Sequence, residues 1–127
     1  MENRARTLLF TVTKFYDKDD NFETFTNIIN NKHELSLRMI DWLVTNYSKE
    51  YNVIYKVKNK DFNLHQSYKN MLKAYSKKLF DPFKRHERIY VNLKAQQEVL
   101  ETTVAQLTFF KWIIENNIIK YAIMNKR

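Results

Sequence analysis

The residues with chemical potential are few and scattered. Three histidines, His33, His65 and His86, stand far apart along 127 residues with no partner at a spacing that metals use, so no metal centre is expected. Asp41 lies beside Met39 and Trp42 in an apolar stretch, where a carboxyl can be pushed toward its neutral form and made to move protons. On the outer face of its helix the same residue would simply be solvated, and that is the preferred reading. His86 and Glu87 stand between Arg85 and Arg88, joining a base, an acid and two phosphate-binding forks within four residues. No nucleophile motif and no paired carboxylates accompany them. No catalytic residue is therefore assigned, no cofactor is expected, and the chain reads as a binding domain rather than an enzyme.

Composition narrows the chemistry further. The absence of cysteine excludes disulfides, thiolate zinc sites, iron–sulfur clusters and thiol nucleophiles. Glycine is also absent, where roughly nine would be expected at an average of about 7%. Dinucleotide and Walker-type phosphate loops need bare backbone at glycine, so neither can form in its standard shape. An AT-rich gene is the simpler origin of this bias, since Lys, Asn, Ile, Tyr and Phe abound while Gly, Ala and Pro are scarce.

The formal net charge is +8, and all of that excess falls within residues 56–94, where eleven basic residues face Asp61, Asp81 and Glu87 alone. Within that segment Lys69, Lys73, Lys77, Lys78, Lys84, Arg85 and Arg88 are interleaved with aromatics including Tyr68, Tyr75, Phe80, Phe83 and Tyr90. Cations that hold phosphates beside rings that stack on bases are the means by which nucleic acids are gripped. The expected binding set is Lys69, Lys73, Lys77, Lys78, Lys84, Arg85, Arg88, Tyr68 and Tyr90. Arg85 and Arg88 are the expected specific contacts, because guanidinium makes forked bonds to phosphate where lysine is a point charge. Lysine-rich helix faces are also commonly just solvated, and Tyr75, Phe80 and Phe83 fit equally well as core anchors.

The elements that must position these residues follow from periodicity. Residues 6–16 alternate Leu8, Phe10 and Val12 with Thr7, Thr11 and Thr13, which favours a strand although Leu9 breaks the pattern. Asp20 or Asn21 can cap a short helix with Phe22, Phe25, Ile28 and Ile29 on one face. Residues 36–47 form the clearest amphipathic helix, with Leu37, Ile40, Val44 and Tyr47 on a core stripe widened by Trp42 and Leu43. A strand at 51–57 would place Tyr51, Val53, Tyr55 and Val57 on one face, with a turn at 58–61 and a return over 62–68 that lacks the usual hairpin glycine. Residues 70–79 have helical spacing with Met71, Leu72, Tyr75 and Leu79 inward, and Pro82 makes a corner of 80–83. Residues 89–93 are a short strand at most. Thr103 and Gln106 form a capping-box pattern that opens the longest helix, from Val104 to about Tyr121, with a kink possible at Asn116 and Asn117. That helix is apolar nearly all round, which places it in the core centre or in a subunit contact.

The chain therefore reads as one α+β domain over residues 1–127, helix-dominated, with a small antiparallel sheet or hairpin. No segment approaches eighteen consecutive apolar residues, and the charged start at 1–6 lacks the apolar run of a signal peptide, so neither membrane insertion nor secretion is expected.

Three stretches carry a resemblance: SLRMIDWLVTNYS at 36–48, SYKNMLKAYSKKLFDPF at 67–83 running into Arg88 and Ile89, and TTVAQLTFFKW at 102–112 running through Glu115 and Asn116. Over roughly residues 33–122 the chain resembles a small family of proteins from large nucleocytoplasmic DNA viruses, of the mimivirus and chlorovirus kind, to which no activity is attached. Members often carry a cysteine and a second arginine after the Asp-Pro-Phe corner, where this chain has Lys84, Arg85 and His86; that departure argues against a thiol or metal role there. The resemblance implies a viral protein acting in the host cytoplasm, in the viral factory, or packed in the virion. The leading expectation is nucleic-acid binding, DNA or RNA, in genome packaging or transcription. The alternative is a structural or adaptor protein that binds a protein partner or a second copy of itself through aromatic-rich helices, around Phe109, Phe110 and Trp112. A nucleic-acid enzyme would require Asp61, Asp81 or Glu87 to converge beside the basic surface.

Overall fold

The structure, a computed structural model, describes residues 2–92 and 99–125. Its centre is α6 (Val104–Glu115), whose residues from Val104 to Phe110 are all buried. Phe109, Phe110 and Trp112 are therefore core residues, which removes the partner surface expected around them. Phe110 meets Phe25 at 5.3 Å between ring centroids, and Phe109 and Trp112 enclose Phe80 at 5.0 and 5.4 Å. Each such phenylalanine contributes about 1.5–3 kcal/mol by leaving water.

Against α6 lies α1 (Asn3–Tyr16), a helix where alternation favoured a strand. The helical stripe is Ala5, Leu8, Leu9, Val12 and Tyr16, so Leu9, the residue that spoiled the alternation, belongs to the buried face. Phe10 is left 65% exposed. The Thr11 and Thr13 hydroxyls donate to the carbonyls of Thr7 and Leu9 one turn back, which accommodates residue types that otherwise prefer strands. The Tyr16 hydroxyl donates to the Leu107 carbonyl at 2.6 Å and ties the two helices together.

Helix α2 (Asn21–Ile29) buries Phe22, Phe25 and Ile28 as the spacing predicts. Asp20 occupies its N-cap position without a side-chain bond, while the Asn21 amide donates to the Phe15 carbonyl at the end of α1. A continuous helix then runs over 37–50 as α3 (Leu37–Trp42), a π-helical turn (Leu43–Tyr47) and α4 (Ser48–Glu50), with the Ser36 hydroxyl capping Met39 N–H. The wider turn brings residues five apart together, and Trp42 and Tyr47 meet at 5.3 Å. Trp42 is 52% exposed, so it widens the surface rather than the core stripe.

The first hairpin pairs β1 (Ile54–Val57) with β2 (Lys60–Asn63). It is shorter than expected at both ends. Tyr51 is the C-cap of the preceding helix, and Asn63, the last residue of β2, also caps α5 (Leu64–Leu79), its side chain accepting a bond from Gln66 N–H at 3.0 Å. Its turn is made by Lys58 and Asn59 with φ of 52° and 66°, the left-handed pair that a two-residue hairpin requires. Asparagine or aspartate fills five of the seven described positive-φ positions, Asp19, Asn31, Asn52, Asn59 and Asn117, and so does the work of the missing glycine.

Helix α5 breaks at Ser76, where φ is 57° and ψ 170°. The Lys78 N–H turns to the Ser76 hydroxyl, and the Ala74 carbonyl accepts a bond from Arg4 of α1, whose guanidinium also lies over the Tyr75 ring. The second hairpin pairs β3 (Arg88–Asn92) with β4 (Val99–Thr103), a strand not anticipated, in the register Arg88↔Thr103 to Asn92↔Val99. Leu93 and Lys94, which end the expected strand and the expected basic segment, lie outside the described residues. Asn117, with φ of 55°, divides the expected long helix into α6 and α7 (Ile118–Met124) at the asparagine pair. Among the described residues the result is a helix-dominated α+β domain with two two-stranded antiparallel sheets. Among the described residues, no helix is long and apolar enough to cross a membrane.

Candidate nucleic-acid interface and the Asp81 corner

The corner after α5 gathers several residues that the sequence singles out. Asp81 is 2% exposed, and its carboxylate accepts from Phe83 N–H at 3.0 Å and from both Nε and Nη2 of Arg85 at 2.9 Å. His86 Nε2 is buried 3.3 Å from Oδ2 without forming a hydrogen bond. Below them Gln106, itself buried, donates its amide to the Pro82 carbonyl at 2.9 Å and accepts from the Thr102 hydroxyl at 2.7 Å, while its backbone N–H is capped by Thr103. Only half of the capping box forms, because the Gln106 side chain is turned to the corner. Asp41 lies close enough to feel this group. Burial pushes its carboxyl above the usual range, Arg85 and Lys77 oppose the rise and Asp81 adds to it. The catalytic candidates thus converge, yet Arg85 and Asp81 are bound to each other, and their geometry is that of a structural clamp.

A second group surrounds Glu101 on the outer face of the β3–β4 hairpin. Glu101 accepts from Arg88 at 2.8 Å, from Lys84 at 3.4 Å and from the Tyr90 hydroxyl at 3.2 Å. Lys84 foremost, with Tyr90 and Arg88, holds its carboxyl below the usual range. Tyr90 is 67% exposed, but the carboxylate beside it offsets the neighbouring cations.

The lysines of α5 are placed differently. Lys69 and Lys73 lie one turn apart on its outer face, exposed, with no ion pair among the described residues. The Ser76 break interrupts this line before Lys77 and Lys78; Lys77 acts electrostatically on Asp41, and Lys78 lies within 3.8 Å of Glu2. Lys58 and Lys60 project from the first hairpin without a partner among the described residues, whereas Lys56 is paired with Asp61 at 2.7 Å. Tyr68 is half-buried against Phe80 and Trp112, so it is a core residue more than a stacking platform. The nine expected binding residues therefore form several groups rather than one surface.

Two concavities accompany them. One of about 330 Å³ lies between Glu2, Lys78, His86, Glu87 and the start of α6. The other, of about 290 Å³, is an apolar groove between α3 and α7 lined by Met39, Trp42, Leu43, Tyr47 and Tyr121. The groove was not legible beforehand, because Trp42 falls within the apolar width of its helix and only the packing of α7 shows which side it faces. Among the described residues no three His, Asp or Glu side chains gather as a metal ion would require. Asp61 and Asp81, two of the three carboxylates that a nucleic-acid enzyme would draw on, are each bound to a cation.

A family model described as a family of unknown function (DUF7197) matches residues 2–126. An uncharacterised protein of Acanthamoeba polyphaga mimivirus is 39% identical over 117 residues, covering 85% of this chain and 45% of the relative. The chain thus spans less than half the length of that relative. No solved structure matches the chain.

Proposed function

The chain belongs to this family, with a relative in a large DNA virus, and on that premise we propose that it is a non-catalytic nucleic-acid-binding domain serving viral genome packaging or transcription, in the host cytoplasm or in the virion. The observation that carries the reading is the set of exposed lysines, Lys58, Lys60, Lys69 and Lys73, that lack carboxylate partners among the described residues within the segment holding the whole charge excess. Such cations attract phosphate and release its counterions on contact. The arginines expected to lead, Arg85 and Arg88, are engaged by Asp81 and Glu101, so the reading rests on the lysines. It is tested by anisotropy of labelled DNA and RNA at low salt. The wild type should bind and the variant with Lys58, Lys60, Lys69 and Lys73 all changed to Gln should not; a wild type that binds neither refutes it.

One observation favours a second reading, binding of a protein partner. The groove between α3 and α7 leaves Trp42 and Met39 exposed at an apolar concavity, and exposed tryptophan beside a pocket is the kind of anchor that interfaces use. Sedimentation of the wild type beside Trp42→Ser checks self-association. A concentration-dependent mass that the substitution abolishes supports a second copy in the groove, and a monomer at all concentrations rejects it.

A further inference from the structure

The fate of the aromatic rings bears on which nucleic acid the lysines would meet. Besides Phe62, which is half-buried against Tyr55 and Trp112, five rings interleave with the basic residues of the central segment. Phe80 is buried, Tyr68, Tyr75 and Phe83 are half-buried, and the guanidinium groups of Arg4 and Arg85 lie over Tyr75 and Phe83 at 5.3 and 5.2 Å. Only Tyr90 among the five reaches the surface, with its hydroxyl held by Glu101. Single-strand binders grip successive bases between exposed rings, and that platform is missing from the basic segment. The exposed Trp42 and Tyr51 lie within and at the C-cap of the helix over 37–50, outside the basic segment, where both pack against Tyr47. The side chains best suited to reading base edges are also engaged: Arg85 spends two nitrogens on Asp81, and Arg88 Nη1 is on Glu101. What remains accessible is lysine, a point charge suited to phosphate and indifferent to base identity.

We infer that the ligand of these exposed lysines is the phosphate backbone of a duplex, held without regard to sequence, rather than the bases of a single strand. The inference rests on the nucleic-acid reading above. A duplex presents the higher density of phosphate, so lysines acting alone favour it, while a single strand gains only where rings stack.

The test compares duplex DNA, duplex RNA and single-stranded DNA, each in two unrelated sequences, by anisotropy across a salt series. The expected result is tighter binding to duplex than to single strand, less than about a tenfold difference between sequences, and a log–log salt slope of roughly −3 to −4 for four phosphate contacts. Lys69→Gln combined with Lys73→Gln should flatten that slope by roughly 2. The DNA and RNA arms tell which duplex supplies the backbone. Single strands bound as tightly as duplexes, or a larger preference between sequences, would overturn this inference while leaving nucleic-acid binding intact. Absence of binding to every probe at low salt would overturn both.

Discussion

Arg85 grips Asp81 with two nitrogens at once, Nε to Oδ2 and Nη2 to Oδ1, each at 2.9 Å, across the boundary between an exposed guanidinium and a buried carboxylate. The pair closes the corner that follows α5 and fixes how the basic residues beyond it are presented. Removing the guanidinium leaves a buried acceptor with the Phe83 N–H and a nearby imidazole as its remaining company. Water can reach part of the vacated side, so Arg85→Ala should cost about 1–3 kcal/mol in urea unfolding. If Arg85 is a clamp rather than a phosphate contact, the same variant keeps its nucleic-acid salt slope at temperatures where it is folded. A slope flattened by about 1 would instead identify a direct phosphate contact.

Gln106 offers a sharper test of the corner, because its amide is 1% exposed and bridges Pro82 to Thr102. Gln106→Ala leaves the Pro82 carbonyl and the Thr102 hydroxyl without that partner and opens a small cavity. The expected loss is about 2–4 kcal/mol, read by thermal or urea unfolding. Gln106→Glu should be nearly as damaging, since the carboxylate cannot donate to the Pro82 carbonyl. A glutamate variant as stable as the wild type would show that the bridge carries little weight.

The turn at Lys58 and Asn59 closes the hairpin without glycine, and introducing glycine there is the means to strengthen it. Both residues hold positive φ, a conformation disfavoured for side chains beyond Gly, Asn and Asp. Asn59→Gly should stabilise the fold by about 0.5–1 kcal/mol, and Asn59→Val should destabilise it by a similar amount or more. Neither change removes a charge, so duplex binding measured on folded protein should be unaltered.

These elements show where sequence reasoning reached and where it stopped. Helical stripes with strong periodicity were legible, since the burial of Phe22, Phe25 and Ile28, the Ser36 and Thr103 starts and the break at Asn116 and Asn117 all arise from local chemistry. In α1 threonine and phenylalanine, which prefer strands, alternate, while the Ala5, Leu8, Leu9, Val12 and Tyr16 stripe is rewarded only by packing on α6. Strand β4 has no clear alternation and exists through its pairing with β3. The candidate surface was legible in charge but not in partnership. That Arg85 would meet Asp81 follows from the corner at Pro82, whereas Arg88 meeting Glu101 depends on a strand register thirteen residues long-range in origin. The separation of Lys77 from Lys73 depends on a backbone break at Ser76 that no residue type announces.

Asp41 gives the pH dependence its sign. Burial raises its carboxyl above the ordinary value of 3.8, with Arg85 and Lys77 opposing the rise and Asp81 assisting it. The folded state therefore holds the proton more tightly than the unfolded chain does. The contribution of this group to stability is fully present below pH 3.8 and is lost as pH rises through the raised folded value. Asp41→Asn keeps the shape and removes the titration. The variant should thus gain stability relative to the wild type as pH climbs from below 3.8 toward neutrality, with the difference level once Asp41 is fully ionised. Urea midpoints of both proteins across that range check it. A difference that stays flat with pH would mean that Asp41 is solvated as an ordinary surface carboxylate, and a difference of opposite sign would mean that Arg85 and Lys77 outweigh its burial.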